Sequence, residues 1–150
     1  IYDNASNQKD TKGFQEKVYE LSDFLVNILK VEDLGAQFEG VATYHDSCAA
    51  LRECKIKTEP RKLLENVKGL KLIDLQDNET CCGFGGTFAV KFEAISVAMG
   101  EQKVQHIVDT KADYLISTDL SCLMHIGGVM EKMEIPVKSL HLADVLASGY

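Results

Sequence analysis

Short β-type segments alternate with amphipathic helical ones along this chain, and that alternation restricts the fold more than any other feature. Phe14, Val18, Leu21, Leu25 and Ile28 step by four, three, four and three, which predicts an amphipathic helix of about 17 residues. Gly35 and Gly40 punctuate a connector before a short strand at 41–45. Thr58 is the expected N-cap of the next helix, with Pro60 in its first turn and Leu63, Leu64 and Val67 facing the core. A second strand is expected over 70–75, then a long helix from Phe88 to about Lys111, with Gly100 as its weak point. A third strand at 113–118, a helix from Cys122 to about Met133, a fourth strand at 136–140 and a closing helix with Leu142, Val145 and Leu146 complete the pattern. Strands separated by helices of this length imply βαβ units. The expected fold is therefore α/β: a parallel sheet of about four strands with helices on both faces, built from Rossmann-like βαβ units.

The cysteines fall in register with this pattern. Cys48 follows the first strand, Cys81 and Cys82 the second, and Cys122 the third. Open α/β sheets place their ligand sites at the carboxyl ends of parallel strands, so residues far apart in sequence are brought to one edge. Thiols are soft ligands suited to iron–sulfur clusters, zinc or redox exchange. Two adjacent thiols rarely serve one small tetrahedral ion without strain. They suit a multinuclear cluster, in which each sulfur takes a different iron. Thiolates around one four-iron cluster are expected on the order of 6–7 Å apart. Gly83, Gly85 and Gly86 let the backbone turn N–H groups toward sulfur. Cys122 at a helix start should have a lowered thiol pKa, and Cys48 opens a short helix through Ala49, Ala50 and Leu51.

Composition removes several classes of function. A chain of 150 residues is one domain in size and needs no disulfides for its core. A net charge of −7 with no basic cluster argues against a nucleic-acid partner. The apolar runs are far shorter than the roughly 18 residues of a membrane span. The five cysteines are an odd number, which rules out complete pairing within one chain. With no secretory signal in view, reduced thiols and a cytoplasmic location are expected. The polar stretch from Asp3 to Asp10 is expected to be a flexible leader over 1–13, with a single domain over 14–150. A start at Ile1 suggests a piece of a longer protein.

Tyr44-His45-Asp46-Ser47-Cys48, Cys81-Cys82-Gly83-Phe84-Gly85-Gly86-Thr87-Phe88 and Cys122-Leu123-Met124-His125-Ile126-Gly127-Gly128 together resemble the cysteine-rich CCG domain family. That family includes the cysteine-rich subunit of heterodisulfide reductase, the iron–sulfur subunit of glycolate oxidase and lactate-utilisation iron–sulfur proteins. The resemblance runs from about Phe14 onward and is strongest to the C-terminal CCG domain of the lactate-utilisation branch. It implies an iron–sulfur oxidoreductase domain that relays electrons in oxidation of lactate or a related 2-hydroxy acid. It implies a [4Fe-4S]-type cluster on Cys48, Cys81, Cys82 and Cys122, with Gly83, Gly85 and Gly86 lining it. It also implies an N-terminal CCG domain as partner in the same protein, and ferredoxin-like or other oxidoreductase subunits beyond it. The isolated domain is expected to be inactive, and exposure to air is expected to empty its site.

The resemblance has two departures. The fullest family motif ends Cys-x-x-Cys, where this chain has Cys122 followed by His125, and Ala49 stands where a histidine often follows the first cysteine. An ordinary four-thiolate cluster is therefore expected, with His125 as a further candidate ligand or neighbour, since imidazole replaces thiolate in some clusters. His45 and Asp46 are candidates for the shell that supports the ligands. Cys54 is read as an incidental thiol, His106 as solvated, His141 as the cap of the last helix, and Gly127-Gly128 as a close helix contact. Two other classes stay open: a zinc or thiol-redox module on the same cysteines, and an anion cradle at Gly83 to Gly86. The cradle lacks both the Gly-x-Gly-x-x-Gly spacing and a P-loop lysine.

Overall fold

The computed structural model describes residues 13–149, so the expected leader lies, Gly13 apart, outside the described residues. Strands β1 (Gln37–Tyr44), β2 (Lys68–Ile73), β3 (Tyr114–Ser117) and β4 (Lys138–His141) form one sheet in the order β2-β1-β3-β4. Every pairing is parallel. The fold is the expected α/β one. Among the helices are α1 (21–28), α2 (Ala49–Cys54), α3 (Glu59–Glu65), α4 (Thr87–Lys91), α5 (Glu93–Thr110), α6 (Leu120–Lys132) and α7 (Leu142–Leu146).

Side chains alternate across a strand, and β3 shows the consequence. Leu115 belongs to a cluster with Val104 and Ile107 of α5 and Leu123, Ile126 and Met130 of α6. Its neighbour Ile116 belongs to a second cluster with Leu63 and Leu64 of α3 and Val145 and Leu146 of α7. The sheet is thus covered on both faces, as parallel sheets require. The chain runs outward from β1 to β2 on one side and from β3 to β4 on the other. The order therefore reverses between β1 and β3, and a crevice opens outside their carboxyl ends.

Several local expectations are corrected. The predicted helix from Phe14 is interrupted, and α1 starts anew where the Glu20 carboxylate accepts from the N–H groups of Ser22 and Asp23. Its second half, Phe24–Ile28, is wound with a wider turn, the Leu29 N–H reaching the Phe24 carbonyl. Phe14 and Val18 lie ahead of this helix and stay exposed, and within it the wider turn leaves Val26 buried and Ile28 exposed. Thr58 and Pro60 take the N-cap and first-turn places expected of them, but the Thr58 side chain makes no cap bond. The Glu59 carboxylate takes the N–H groups of Lys57 and Thr58 instead. The long helix breaks at Phe92 (φ −130°, ψ 51°) rather than at Gly100. Gly100 packs against His125 and Val129. His106 is not solvated: its ring is largely buried, with Nδ1 3.9 Å from Asp77. His141 does cap α7, in a reciprocal box with Asp144. The glycine pair divides, Gly127 lying against Ser139 and Gly128 facing open space.

Candidate metal centre

Parallel strands place three of the expected residues in the crevice between β1 and β3. His45 directly follows β1, and its N–H still bonds the Ile116 carbonyl of β3 at 2.9 Å. Cys122 sits in the first turn of α6, its N–H held by the Asp119 carboxylate that caps the helix. Cys82 comes from the loop after β2. The ligand atoms of His45, Cys82 and Cys122 lie within 4.8 Å of one another, all three residues being buried. The Cys82 and Cys122 sulfurs are 3.3 Å apart, within hydrogen-bonding distance. This is closer than the expected spacing of thiolates around one four-iron cluster.

The pair shares its protons unequally. The hydrogen bond to Cys122 holds the Cys82 thiol well below the usual range, and His45 and the Phe84 N–H act in the same direction. The same hydrogen bond, together with burial, pushes Cys122 up. The lowered pKa expected for Cys122 from its helix start is thus corrected: a thiolate at 3.3 Å outweighs the ends of backbone dipoles.

The other expected residues are arranged around this group rather than in it. Cys81 is half-buried, and its sulfur accepts the Gly83 N–H at 3.4 Å. Gly83 has φ +98° and lies so close to α5 that an added Cβ would meet the Ser96 carbonyl at 2.6 Å. Gly85 and Gly86 turn the chain into α4, with Gly86 as its N-cap residue. Cys48 is exposed at the start of α2, near enough for its charge to raise Cys122. Cys54 is exposed at the far end of α2. His125 faces α5, with Nε2 3.3 Å from the Ser96 carbonyl and its ring near Phe84. It helps wall a mostly apolar groove of about 290 Å³ with Phe84, Val97, Met124 and Gly128. Asp46 is buried and turned to Arg61, whose two terminal nitrogens donate to its two oxygens at 2.8 and 2.6 Å.

Sequence reasoning missed two residues. Arg61 stacks over the Tyr44 ring while gripping Asp46, so it ties α3 to the end of β1. Lys103 is 2% exposed, and its amine donates to the Asp77 carbonyl in the loop leading to Cys81. Burial lowers its pKa, opposed by the charges of Asp77, Cys82, Asp46 and Cys81. A signal for Lys103 existed. Ser96, Gly100, Lys103, Val104 and Ile107 are the buried residues of α5, spaced as one helix face. For Arg61, nothing in local spacing pointed to Asp46.

Two buried thiols and an imidazole form a soft and borderline donor set that can bind a metal. Both His45 nitrogens are buried without a hydrogen-bond partner, as expected of a group that awaits a ligand. The residues present therefore fit a thiolate-bound metal or cluster. An α/β domain with such a group at the switch point of its sheet carries the donors of a cysteine-based metal site. The sequence pattern of the CCG cysteine-rich domain matches residues 42–127, and the chain belongs to that family. It is 48% identical over 141 residues to Lactate utilization protein A of Geobacillus sp. (strain WCH70), which covers 94% of this chain and 59% of that protein. The protein of the same name from Geobacillus thermodenitrificans (strain NG80-2) is 49% identical over 93% of this chain and 58% of its own length. That from Bacillus pumilus (strain SAFR-032) is 49% identical over 89% and 56%. The chain thus spans less than two-thirds of the length of these relatives. Among the described residues, no helix is long and apolar enough to cross a membrane.

Proposed function

We propose that this chain is an iron–sulfur electron-relay domain of a cytoplasmic protein that serves oxidation of lactate or a related 2-hydroxy acid. The observation that carries the reading is the buried meeting of Cys82, Cys122 and His45, delivered by three different strand ends. The substrate class is taken from the name of the relatives, lactate utilization protein A. A bound cluster would accept and release single electrons at the sheet edge. Cys82 and Cys122 would hold it from below, and Cys81 and Cys48 would complete a four-thiolate set from the rim. The Gly83 and Phe84 N–H groups and the buried Lys103 ammonium would offset the charge of the thiolates. The domain, spanning 14–150, would work beside a second cysteine-rich domain of the same polypeptide. It would pass electrons to ferredoxin-like or other oxidoreductase subunits, and it would not turn over substrate alone.

One observation favours a second reading. Sulfurs 3.3 Å apart are nearer the spacing around one tetrahedral ion, where zinc–sulfur bonds are about 2.3 Å. Anaerobic purification followed by iron, zinc and acid-labile sulfide analysis separates the two. The expected result is iron with matching sulfide, lost in Cys82→Ser and Cys122→Ser and retained in Cys54→Ser. One zinc per chain without sulfide would reject the iron–sulfur reading.

A further inference from the structure

His45 is buried against sulfur rather than against an ordinary hydrogen-bond partner. The residue is 1% exposed, and both ring nitrogens are closed off without a partner. An imidazole carries polar nitrogens on both sides, and leaving a buried donor or acceptor without a hydrogen bond costs stability. The histidine that caps α7 is treated differently. His141 accepts the Ala143 N–H on Nδ1 and meets the Thr118 carbonyl with Nε2, each at 3.1 Å. His125 has the Ser96 carbonyl.

Neither nearby carboxylate hydrogen-bonds His45, although Asp119 is close enough to interact with it through charge. Asp46 is engaged by Arg61, and the Asp119 oxygen Oδ1 is taken by the N–H groups of Ser121 and Cys122. What faces the imidazole is sulfur: one ring nitrogen lies within 4.8 Å of the Cys82 and Cys122 thiols. The backbone is meanwhile held by the sheet through the Ile116 carbonyl. The ring is fixed in place and buried, and the Cys82 and Cys122 thiols are the groups it meets.

We infer that His45 binds the metal directly. A ring nitrogen joins Cys82 and Cys122 in a mixed nitrogen–thiolate donor set and takes the place of one of the two rim thiolates, Cys48 or Cys81, in the four-thiolate set described above, rather than supporting the thiolates from behind. The identity of the metal, an iron of the cluster, rests on the reading proposed above; the ligation itself does not. A neutral imidazole in place of a thiolate leaves a cluster less negative, and such substitution raises the potential of histidine-ligated iron–sulfur centres. His45 would then make this centre an easier electron acceptor than an all-thiolate one.

The test uses the full chain labelled with 15N-histidine, reconstituted anaerobically with iron and sulfide, reduced and read by pulsed electron paramagnetic resonance. The expected spectrum shows a nitrogen coupling of the size of a bound imidazole. His45→Cys is expected to keep iron and sulfide, lose that coupling and lower the midpoint potential. If that variant does not fold, His106→Gln, His125→Gln and His141→Gln combined leave His45 as the sole one of the four histidines, and the coupling must persist. Absence of a bound-nitrogen coupling in the unmodified chain, or its survival in His45→Cys, overturns the inference. If the chain takes up no sulfide, the iron–sulfur reading fails on its own. Cobalt(II) alone then tests the ligation: a strongly shifted imidazole proton resonance is expected, and its absence overturns the inference.

Discussion

Residues 45–48 and residues 74–86 both leave the carboxyl edge of the sheet carrying cysteine, yet different forces hold them. The first connection is short and buried until it reaches Cys48. Its backbone is tied to Ile116 and Asn78, and its Asp46 carboxylate is clamped from both sides by Arg61. The second is long, and its shape depends on contacts with α5. Ser96 Oγ donates to the Gly83 carbonyl at 2.8 Å, and Lys103 donates to the Asp77 carbonyl, where the backbone takes the left-handed φ of +51°. The difference teaches where rigidity comes from at this site. A buried ion pair places His45 and Cys48 whatever is bound. Glycine geometry and one lysine place Cys81 and Cys82.

The largest expected effect breaks the first connection. Arg61→Met leaves the Asp46 carboxylate, whose side chain is 3% exposed, without its partner. Loss of one member of a buried pair costs about 3–5 kcal/mol, read as a fall in unfolding free energy in urea. Arg61→Met combined with Asp46→Asn should recover most of it. A single variant that loses less than about 1 kcal/mol would show that the clamp is not what holds residues 45–48.

A smaller effect is expected in the second connection. Gly83→Ala meets both a φ of +98° and the Ser96 carbonyl, for a cost of about 2–3 kcal/mol and a weakened grip on metal. Gly86→Ala meets φ +56° and ψ −107°, outside the left-handed helical region, with open space around its Cβ, so backbone strain alone of about 1–2 kcal/mol is expected. Thermal melts and metal titration of the two variants side by side give the comparison. Equal losses would mean that backbone strain alone, and not the contact with α5, shapes the loop.

The smallest effect sharpens the role of Lys103. Burial holds its folded pKa below 10.5, so between the folded and unfolded values the unfolded chain binds more protons. Stability therefore rises with pH through that window, as the folded amine loses a charge it holds at a cost. Lys103→Met should flatten the rise in metal-free, reduced protein, measured by urea unfolding from pH 7 upward. An unchanged slope would mean that the amine is not desolvated in the folded state.

Much of the fold was legible because it rests on local pattern. Runs such as Leu70-Lys71-Leu72-Ile73, set between helical periodicities, imply parallel strands wherever they pair, and the observed sheet pairs them so. Strand edges were less legible: β1 begins at Gln37 and runs through Gly40, which was read as a break. Gly40 belongs in the strand because the Tyr114 ring lies against it, a contact from the far half of the chain. The helix predicted from Phe14 failed because a carboxylate cap at Glu20 and a wider turn after it override apolar spacing.

For the site, the sequence alone determined which cysteines reach the sheet's carboxyl edge, since strand direction and chain order decide that. It also determined family membership through three motifs. Only the tertiary structure decided which side chains point inward. His45 and Asp46 are neighbours in sequence, but His45 turns to the thiols while Asp46 turns to Arg61. Lys103 looks like any helix lysine until α5 is laid over the loop before Cys81. The protonation of Cys82 and Cys122 was equally out of reach of the sequence, because it follows from a 3.3 Å approach between residues forty positions apart. Electrostatic and hydrogen-bond energies fall off over a few ångströms, and distances of that size between remote residues exist only once the chain has packed.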